Sequence, residues 1–206
     1  LLRKKRLRDR EVEYLAQLNS ANQEITFLNE RLKAENFRLS AELKVTRKLQ
    51  QMILPKDREL SQIEGLDIAG YMKLADEVGG DYYDVLQTNG FKIGIGDVTG
   101  HGLESGVLML MVQTAVRTLI ENNETDPIKF LEVFNRTIYN NIQRMNSSKN
   151  LTLSLVNSHN CKLNLSGQHE EIIAIRSNET LECIDTINLG FPIGLEESIE
   201  NFVSQT

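Results

Sequence analysis

The stretch VGGDYYDVLQTNGFKIGIGDVTGHG, residues 78–102, decides how this chain folds. Two alternating runs flank Thr88-Asn89-Gly90, and that pattern reads as a β-hairpin. The hairpin carries an aspartate near the outer end of each arm, Asp81 and Asp97. A two-residue Asn-Gly loop would set Asp97 against Tyr82 and send Asp81 to the other side of the sheet. A three-residue loop, with Gly90 left-handed in a bulge, sets Asp97 directly opposite Asp81. The second register also sorts the side chains. It gathers Tyr83, Val85, Phe91, Ile93 and Ile95 on one packed face with both aspartates at its rim, and leaves Asp84, Lys92, Gly94 and Gly96 on the other.

Directly opposed side chains lie about 5 Å apart at Cβ, where like charges repel unless something compensates. A divalent cation does so, and oxygen-only ligands with no histidine or cysteine nearby suit Mg²⁺ or Mn²⁺. The turn Val98-Thr99-Gly100-His101-Gly102 is bounded by glycines, so its backbone can approach an ion or a phosphate closely. The same residues also admit a metal-free reading in which Asp81 caps a turn and Asp97 ends a strand.

Upstream, residues 1–54 contain no glycine or proline. With Leu15 at heptad position a, the a and d positions run Leu15, Leu18, Asn22, Ile25, Asn29, Leu32, Asn36, Leu39 and Leu43, and continue through Thr46, Gln50 and Ile53. This predicts a parallel dimeric coiled coil whose seam is weakened, and whose register is fixed, by Asn22, Asn29 and Asn36. A single solvated helix is the alternative. The basic run Arg3–Arg10 either solvates the helix start or meets a membrane surface. Pro55 stops the helix, residues 55–65 read as a connecting segment, and residues 66–206 as the folded domain.

Within that domain, Leu66–Tyr71 reads as a short strand and residues 104–121 as a helix apolar on nearly all sides. Pro127 opens a second helix reaching about Arg144. Residues 151–156, 161–166 and 171–176 read as an antiparallel meander. No apolar run approaches a membrane span, and no signal peptide opens the chain, so a cytoplasmic protein is expected. The net charge of −6 argues against non-specific nucleic-acid binding. Cys161 and Cys183 have no metal-ligand spacing and imply no disulfide framework.

Val78-Gly79-Gly80-Asp81-Tyr82-Tyr83-Asp84 and Gly96-Asp97-Val98-Thr99-Gly100-His101-Gly102 resemble the first two signature motifs of the SpoIIE/RsbU-type bacterial serine phosphatases, a branch of the PPM metal-dependent protein phosphatases. Leu165-Ser166-Gly167-Gln168-His169 and Gly190-Phe191-Pro192-Ile193-Gly194-Leu195 resemble two later motifs, in the right order. The resemblance implies an α+β fold, an antiparallel β-sandwich flanked by helices and preceded here by the long coiled-coil helix. It implies two Mn²⁺ or Mg²⁺ ions in the complete domain, bridged by Asp97, with the Val98 backbone carbonyl as a ligand and Asp81 holding the site directly or through water. Asp97 and Asp81 would then be catalytic through a metal-activated water that attacks a phosphoserine or phosphothreonine. The usual partner of such an enzyme is a phosphorylated STAS-type anti-sigma-factor antagonist, and a coiled coil ahead of the domain relays the state of an upstream sensor.

His101 and His169 are acid/base candidates or structural donors, and His159 reads as a loop residue. The further aspartates the family carries, one in a T-D-G strand end and one near the C-terminus, have no counterpart in residues 1–206, and Asp185 does not supply one. The C-terminal part of the domain is therefore expected to be absent and the chain as given to be inactive. Two rivals stand beside this reading. Gly79-Gly80-Asp81 also resembles the GGDEF cyclases, which have Glu-Phe where this chain has Tyr82-Tyr83. A non-catalytic dimeric module that only binds a phosphoprotein is the other.

The heptad pattern makes its own prediction. Replacing Asn22, Asn29 and Asn36 by Ile stabilises the seam and raises the thermal midpoint of a dimer in analytical ultracentrifugation and circular dichroism. A concentration-independent wild-type monomer would contradict the coiled coil.

Overall fold

The computed structural model describes residues 2–72, 79–159 and 162–199. Cys161 and Val78, both named above, lie outside them. The chain divides into two compact units, Leu1–Glu42 and Leu43–Thr206.

The first unit is the larger part of α1 (Leu2–Ile53), a helix that runs unbroken because nothing in it removes a hydrogen bond or loosens the backbone. Its apolar seam residues Leu15, Leu18, Ile25, Leu32 and Leu39 are all exposed in the single chain. The second unit takes in the last turns of α1. There Gln50 is fully buried and Ile53 packs against the core, so these two positions leave the heptad seam and serve the folded domain.

The domain is built on a four-stranded antiparallel sheet ordered β1 (Tyr82–Gln87), β2 (Phe91–Val98), β3 (Leu151–His159) and β4 (Lys162–Gln168). Two helices, α3 (Leu103–Glu121) and α4 (Pro127–Arg144), connect β2 to β3 and cover one face. A four-residue helix, α2 (Asp57–Leu60), lies ahead of the sheet, and β5 (Ile172–Ile175) with β6 (Leu181–Ile184) forms a separate two-stranded ribbon. α4 starts where the sequence requires it: the Asp126 carboxylate accepts from the Ile128 and Lys129 amides, and Pro127 occupies the first turn, where no donor is needed. Between helices and sheet, Leu108, Met109, Val112, Phe130, Phe134 and Ile138 meet Tyr82, Val98, Leu151, Leu153 and Leu155, all buried. Each such side chain contributes about 1.5–3 kcal/mol relative to an exposed position.

The hairpin pairs Tyr82 with Gly96 and Gln87 with Phe91, so the loop is the three-residue Thr88-Asn89-Gly90 and the register is the one that opposes the aspartates. Gly90 differs from expectation: it is not among the left-handed glycines. Its place is set by crowding, since a Cβ there would stand 2.2 Å from the Ser158 carbonyl oxygen.

The roles of the two hairpin faces are also reversed relative to expectation. The face carrying Asp84, Lys92, Gly94 and Gly96 is the one pressed under α3 and α4. Arg117 from α3 reaches Asp84 with two hydrogen bonds, 3.0 Å from Nε and 3.2 Å from its terminal nitrogen, which compensates a buried carboxylate. Lys92 lies 4.0 Å over the Phe130 ring, and burial pulls its pKa down to about 8. Gly94 and Gly96 make room for Leu155 and Leu153. The apolar face meets a smaller cluster: Val85 packs with Leu60 and Ile63, and Ile68, Phe91 and Ile93 pack around them.

Leu66–Tyr71 is not a strand. Gly70 lies so close to Tyr83 that a Cβ would stand 2.7 Å from the ring, so the segment crosses the face of the sheet and does not join its edge. The expected third arm of the meander leaves β4 after His169 and pairs with β6, which the sequence pattern had not marked. His159 ends β3 and is not in a loop. α3, against expectation, is long and apolar enough to cross a membrane, but Leu108, Met109, Val112 and Val116 are buried and mark it as a core helix.

The Asp84–Arg117 pair gives a stability prediction. Arg117→Ala strands a buried carboxylate, at a cost of about 2–3 kcal/mol, below the upper range for such pairs because the Arg117 side chain keeps 40% exposure. Urea unfolding at neutral pH reads the loss, and a change under 0.5 kcal/mol would show that the pair is not coupled to folding.

Candidate functional site

The site stands at the open end of the hairpin. The Val98 amide donates to the Gly80 carbonyl at 3.2 Å, which continues the register two residues past Tyr82 and sets Asp81 across from Asp97. Gly80 is required there: a Cβ would stand 2.4 Å from Val98 Cβ and 2.6 Å from the Val98 carbonyl oxygen. Asp81 is thus set opposite Asp97, the register the sequence favours, and the Val98 carbonyl that follows lies against Gly80.

Partial burial raises the Asp97 pKa, and the neighbouring Asp81 charge adds to the rise, while His169 and the Val98 amide oppose it. A carboxylate pushed up by burial and by a facing carboxylate is a place where a cation is favourable, and the donor set is all oxygen. The residues therefore fit a hard divalent ion. Among the described residues no group of three or more His, Cys, Asp or Glu side chains is placed to hold a metal. Asp84 does not add a ligand, since it points to the opposite face and is held by Arg117.

The turn that follows is fixed by β3's approach. The Thr99 amide donates to the Asn150 carbonyl at 2.8 Å, the Asn150 amide donates to Thr99 Oγ1 at 3.0 Å, and Lys149 Nζ donates to the Thr99 carbonyl at 2.9 Å. Gly100 and Gly102 take φ of 75° and 95°, conformations that side chains resist, and Gly102 then caps α3. His101 is exposed in this turn.

Three supports were missed in the sequence. Lys149 and Asn150 clamp the turn from fifty residues away, a relation no local pattern carries. Thr152 pairs with Asp97, and its Oγ1 lies 2.7 Å from His169 Nδ1. Gln50, in the last turn of α1, donates from Nε2 to the Asp81 carbonyl at 3.3 Å and to Met72 Sδ at 3.5 Å. Its burial had one signal: a glutamine at a heptad a position just before a proline is a poor seam residue. Asp81 and His169 border a cleft of about 550 Å³, with Tyr83, Ile95 and the crossing segment Ile68–Met72 as its walls.

The fold is of the PP2C class. The SiaA PP2C domain of Pseudomonas aeruginosa superposes with a TM-score of 0.58 at 25% identity, over 78% of this chain and 65% of that one. The chain thus spans under two thirds of that structure's length. The RsbU and RsbW domains of a Mycobacterium tuberculosis protein are similar with a TM-score of 0.47 at 18% identity, over 63% of this chain and 35% of that one. The PP2C phosphatase domain of SpoIIE from Bacillus subtilis, with a fragment of its regulatory domain, gives 0.43 at 13%, over 98% and 77%. A comparison with curated proteins finds no match. The family model of Stage II sporulation protein E (SpoIIE) matches residues 87–206, more than half the chain, and the chain belongs to that family. Asp97 lies inside the matched residues and Asp81 just outside them.

The facing carboxylates predict a pH and charge effect on the metal-free chain. Folding raises the Asp97 pKa, so the folded state favours the protonated form. Its stabilising contribution is present at low pH and is lost as pH rises through the raised pKa. Asp97→Asn should therefore raise metal-free stability at neutral pH by about 0.5 kcal/mol, the scale of an opposed like-charge pair, and remove any further rise on adding Mn²⁺. Thermal melts with and without Mn²⁺ test this; a destabilised Asp97→Asn would mean that the carboxylates do not repel.

Proposed function

We propose that the protein is a Mn²⁺- or Mg²⁺-dependent protein serine/threonine phosphatase. The observation that carries this reading is the opposition of Asp81 and Asp97, with Asp81 lining a cleft, in a chain of the SpoIIE family. In the proposal Asp97, Asp81 and the Val98 carbonyl hold the ions, two in the complete domain. Divalent cations, when bound, supply a Lewis acid for phosphoryl oxygens and an acidified water that attacks phosphorus. The chain's own residues do the rest. Gly80 lets the two arms close so that the carboxylates face each other, and Lys149 and Asn150 keep the turn after Asp97 in one shape.

The substrate we propose is a phosphoserine or phosphothreonine on a signalling partner, with a phosphorylated STAS-type anti-sigma-factor antagonist as the specific candidate. We further propose a cytoplasmic homodimer joined through α1, whose exposed seam residues need a partner helix, and control of the site through that helix. Gln50 supports the last point. A buried side chain of α1 contacts the carbonyl of Asp81 itself, so a shift of the helix end changes the backbone that aims one ligand. A second reading, a non-catalytic phosphoprotein-binding module, draws on the lack of a third His, Cys, Asp or Glu side chain beside the two aspartates among the described residues. On the same ground, residues 1–206 alone are proposed to bind metal weakly and to be inactive.

Phosphate release from a phosphoserine peptide by the protein at its natural length decides between them. The expected result is turnover that requires Mn²⁺ or Mg²⁺, stops with chelator, and falls to background in Asp97→Ala. Gln50→Ala should raise the Mn²⁺ concentration for half-maximal rate several-fold. Turnover indifferent to chelator and to Asp97→Ala would sink the metal mechanism, and a metal-binding protein without turnover would favour the binding module.

A further inference from the structure

Continuing the strand pairings by one step at the strand ends draws a single row across the sheet: Asp81, Asp97, Thr152 and His169. Asp97 pairs with Thr152, and the pairing of Leu153 with Gln168 puts His169 opposite Thr152. Neighbouring strands are about 4.8 Å apart, so the His169 backbone is about 10 Å from that of Asp97. Thr152, a small side chain, lies between them. The two ends of the row, Asp81 and His169, line the 550 Å³ cleft.

His169 is held more firmly than its place at the end of a strand requires. Its amide donates to Thr186 Oγ1 at 2.9 Å, and the Thr186 hydroxyl donates back to the His169 carbonyl at 2.5 Å. Thr186 is fully buried. Just upstream, Gly167 has a φ of 81°, lies against the Leu153 carbonyl where a Cβ would stand 2.2 Å away, and donates to the Leu189 carbonyl at 2.9 Å. The imidazole is then oriented through Nδ1 by Thr152 at 2.7 Å. Among the described residues Nε2 has no hydrogen-bond partner, although the ring is partly buried in the wall of the cleft. The protein tethers the ring through one nitrogen, and the residue lines the cleft, so the other nitrogen is left for a further partner.

We propose that His169, oriented by Thr152, is a substrate-contacting residue that donates a hydrogen bond from Nε2 to a non-bridging oxygen of the phosphoryl group. The proposal rests on the phosphatase reading. In the tautomer in which Thr152 donates to Nδ1, the ring carries its proton on Nε2, and that nitrogen is a donor. A phosphoryl group seated over the Asp97 end of the row brings negative charge beside two carboxylates. Cations offset it on one side, and a fixed donor on the other side orients the group without adding a ligand that competes for the ions. The pre-set geometry of the His169 backbone is what such a donor needs.

The test uses the protein at its natural length, saturated with Mg²⁺, with inorganic phosphate as the probe. Imidazole ¹H–¹⁵N spectra should show His169 protonated at Nε2 and its ring signals moving on phosphate addition. His169→Gln should weaken phosphate binding about tenfold, the scale of one hydrogen bond to a charged group, and raise KM for a phosphoserine peptide with Mg²⁺ affinity unchanged. Thr152→Val, which frees the ring to rotate, should weaken phosphate binding about threefold and shift the tautomer signal. Unchanged phosphate affinity in His169→Gln, with a wild type that turns over, would overturn this inference alone. A parallel loss of Mg²⁺ affinity would also overturn it, since His169 would then serve the metal or the fold. A wild type that neither binds Mg²⁺ nor releases phosphate from the peptide would overturn the phosphatase reading together with the inference.

Discussion

The register of one hairpin holds the rest of this structure in place. Pairing Gln87 with Phe91 leaves a three-residue loop, and the side-chain alternation that follows is fixed to the far end, where Asp81 meets Asp97. A slip of one residue would turn Tyr82 and Asp84 to the wrong layer and separate the aspartates. Two glycines guard against the slip by close approach. Gly90 lies against the Ser158 carbonyl at one end, and Gly80 lies against Val98 at the other. The site is therefore a product of sheet geometry, and only its final turn depends on loop conformation.

The same register decides what the helices see. It presents Tyr82, Asp84 and Lys92 to α3 and α4, so the core layer includes an ion pair and a cation over a ring among its apolar contacts. Asp84 and Arg117 tie α3 to the strand that carries Asp81 three residues earlier. Gly102 begins α3 five residues after Asp97. A core helix thus has one anchor on each arm of the hairpin. The end of α1 adds a third approach to the site through Gln50, and this gives the long helix a physical route to it.

How much of this was legible in the sequence follows from how local each signal is. The hairpin, its loop length, the two helices with Pro127 at the start of α4, and the opposition of Asp81 and Asp97 all rest on spacing within about twenty residues, and spacing was enough. The faces of the hairpin were misassigned because Asp84 and Lys92 look solvent-facing until Arg117 and Phe130, from other elements, are known to receive them. Leu66–Tyr71 has strand composition, but the Tyr83 ring it crosses is what decides its path. Thr152, Lys149 and Asn150 carry no motif at all; they matter through the pairing of β2 with β3. His169 was visible as a residue, while its partner Thr152 was not, and so its role stayed open between acid/base chemistry and structure.

The central claim is that two aspartates opposed across a hairpin make a divalent-cation site. Diffraction at the manganese absorption edge from crystals of the natural-length protein grown with Mn²⁺ tests it most directly. The account predicts anomalous density between the Asp81 and Asp97 carboxylates and within coordination distance of the Val98 carbonyl, lost in Asp97→Asn crystals. Manganese bound elsewhere in the domain, with Asp81 and Asp97 left facing each other without an ion, would contradict it.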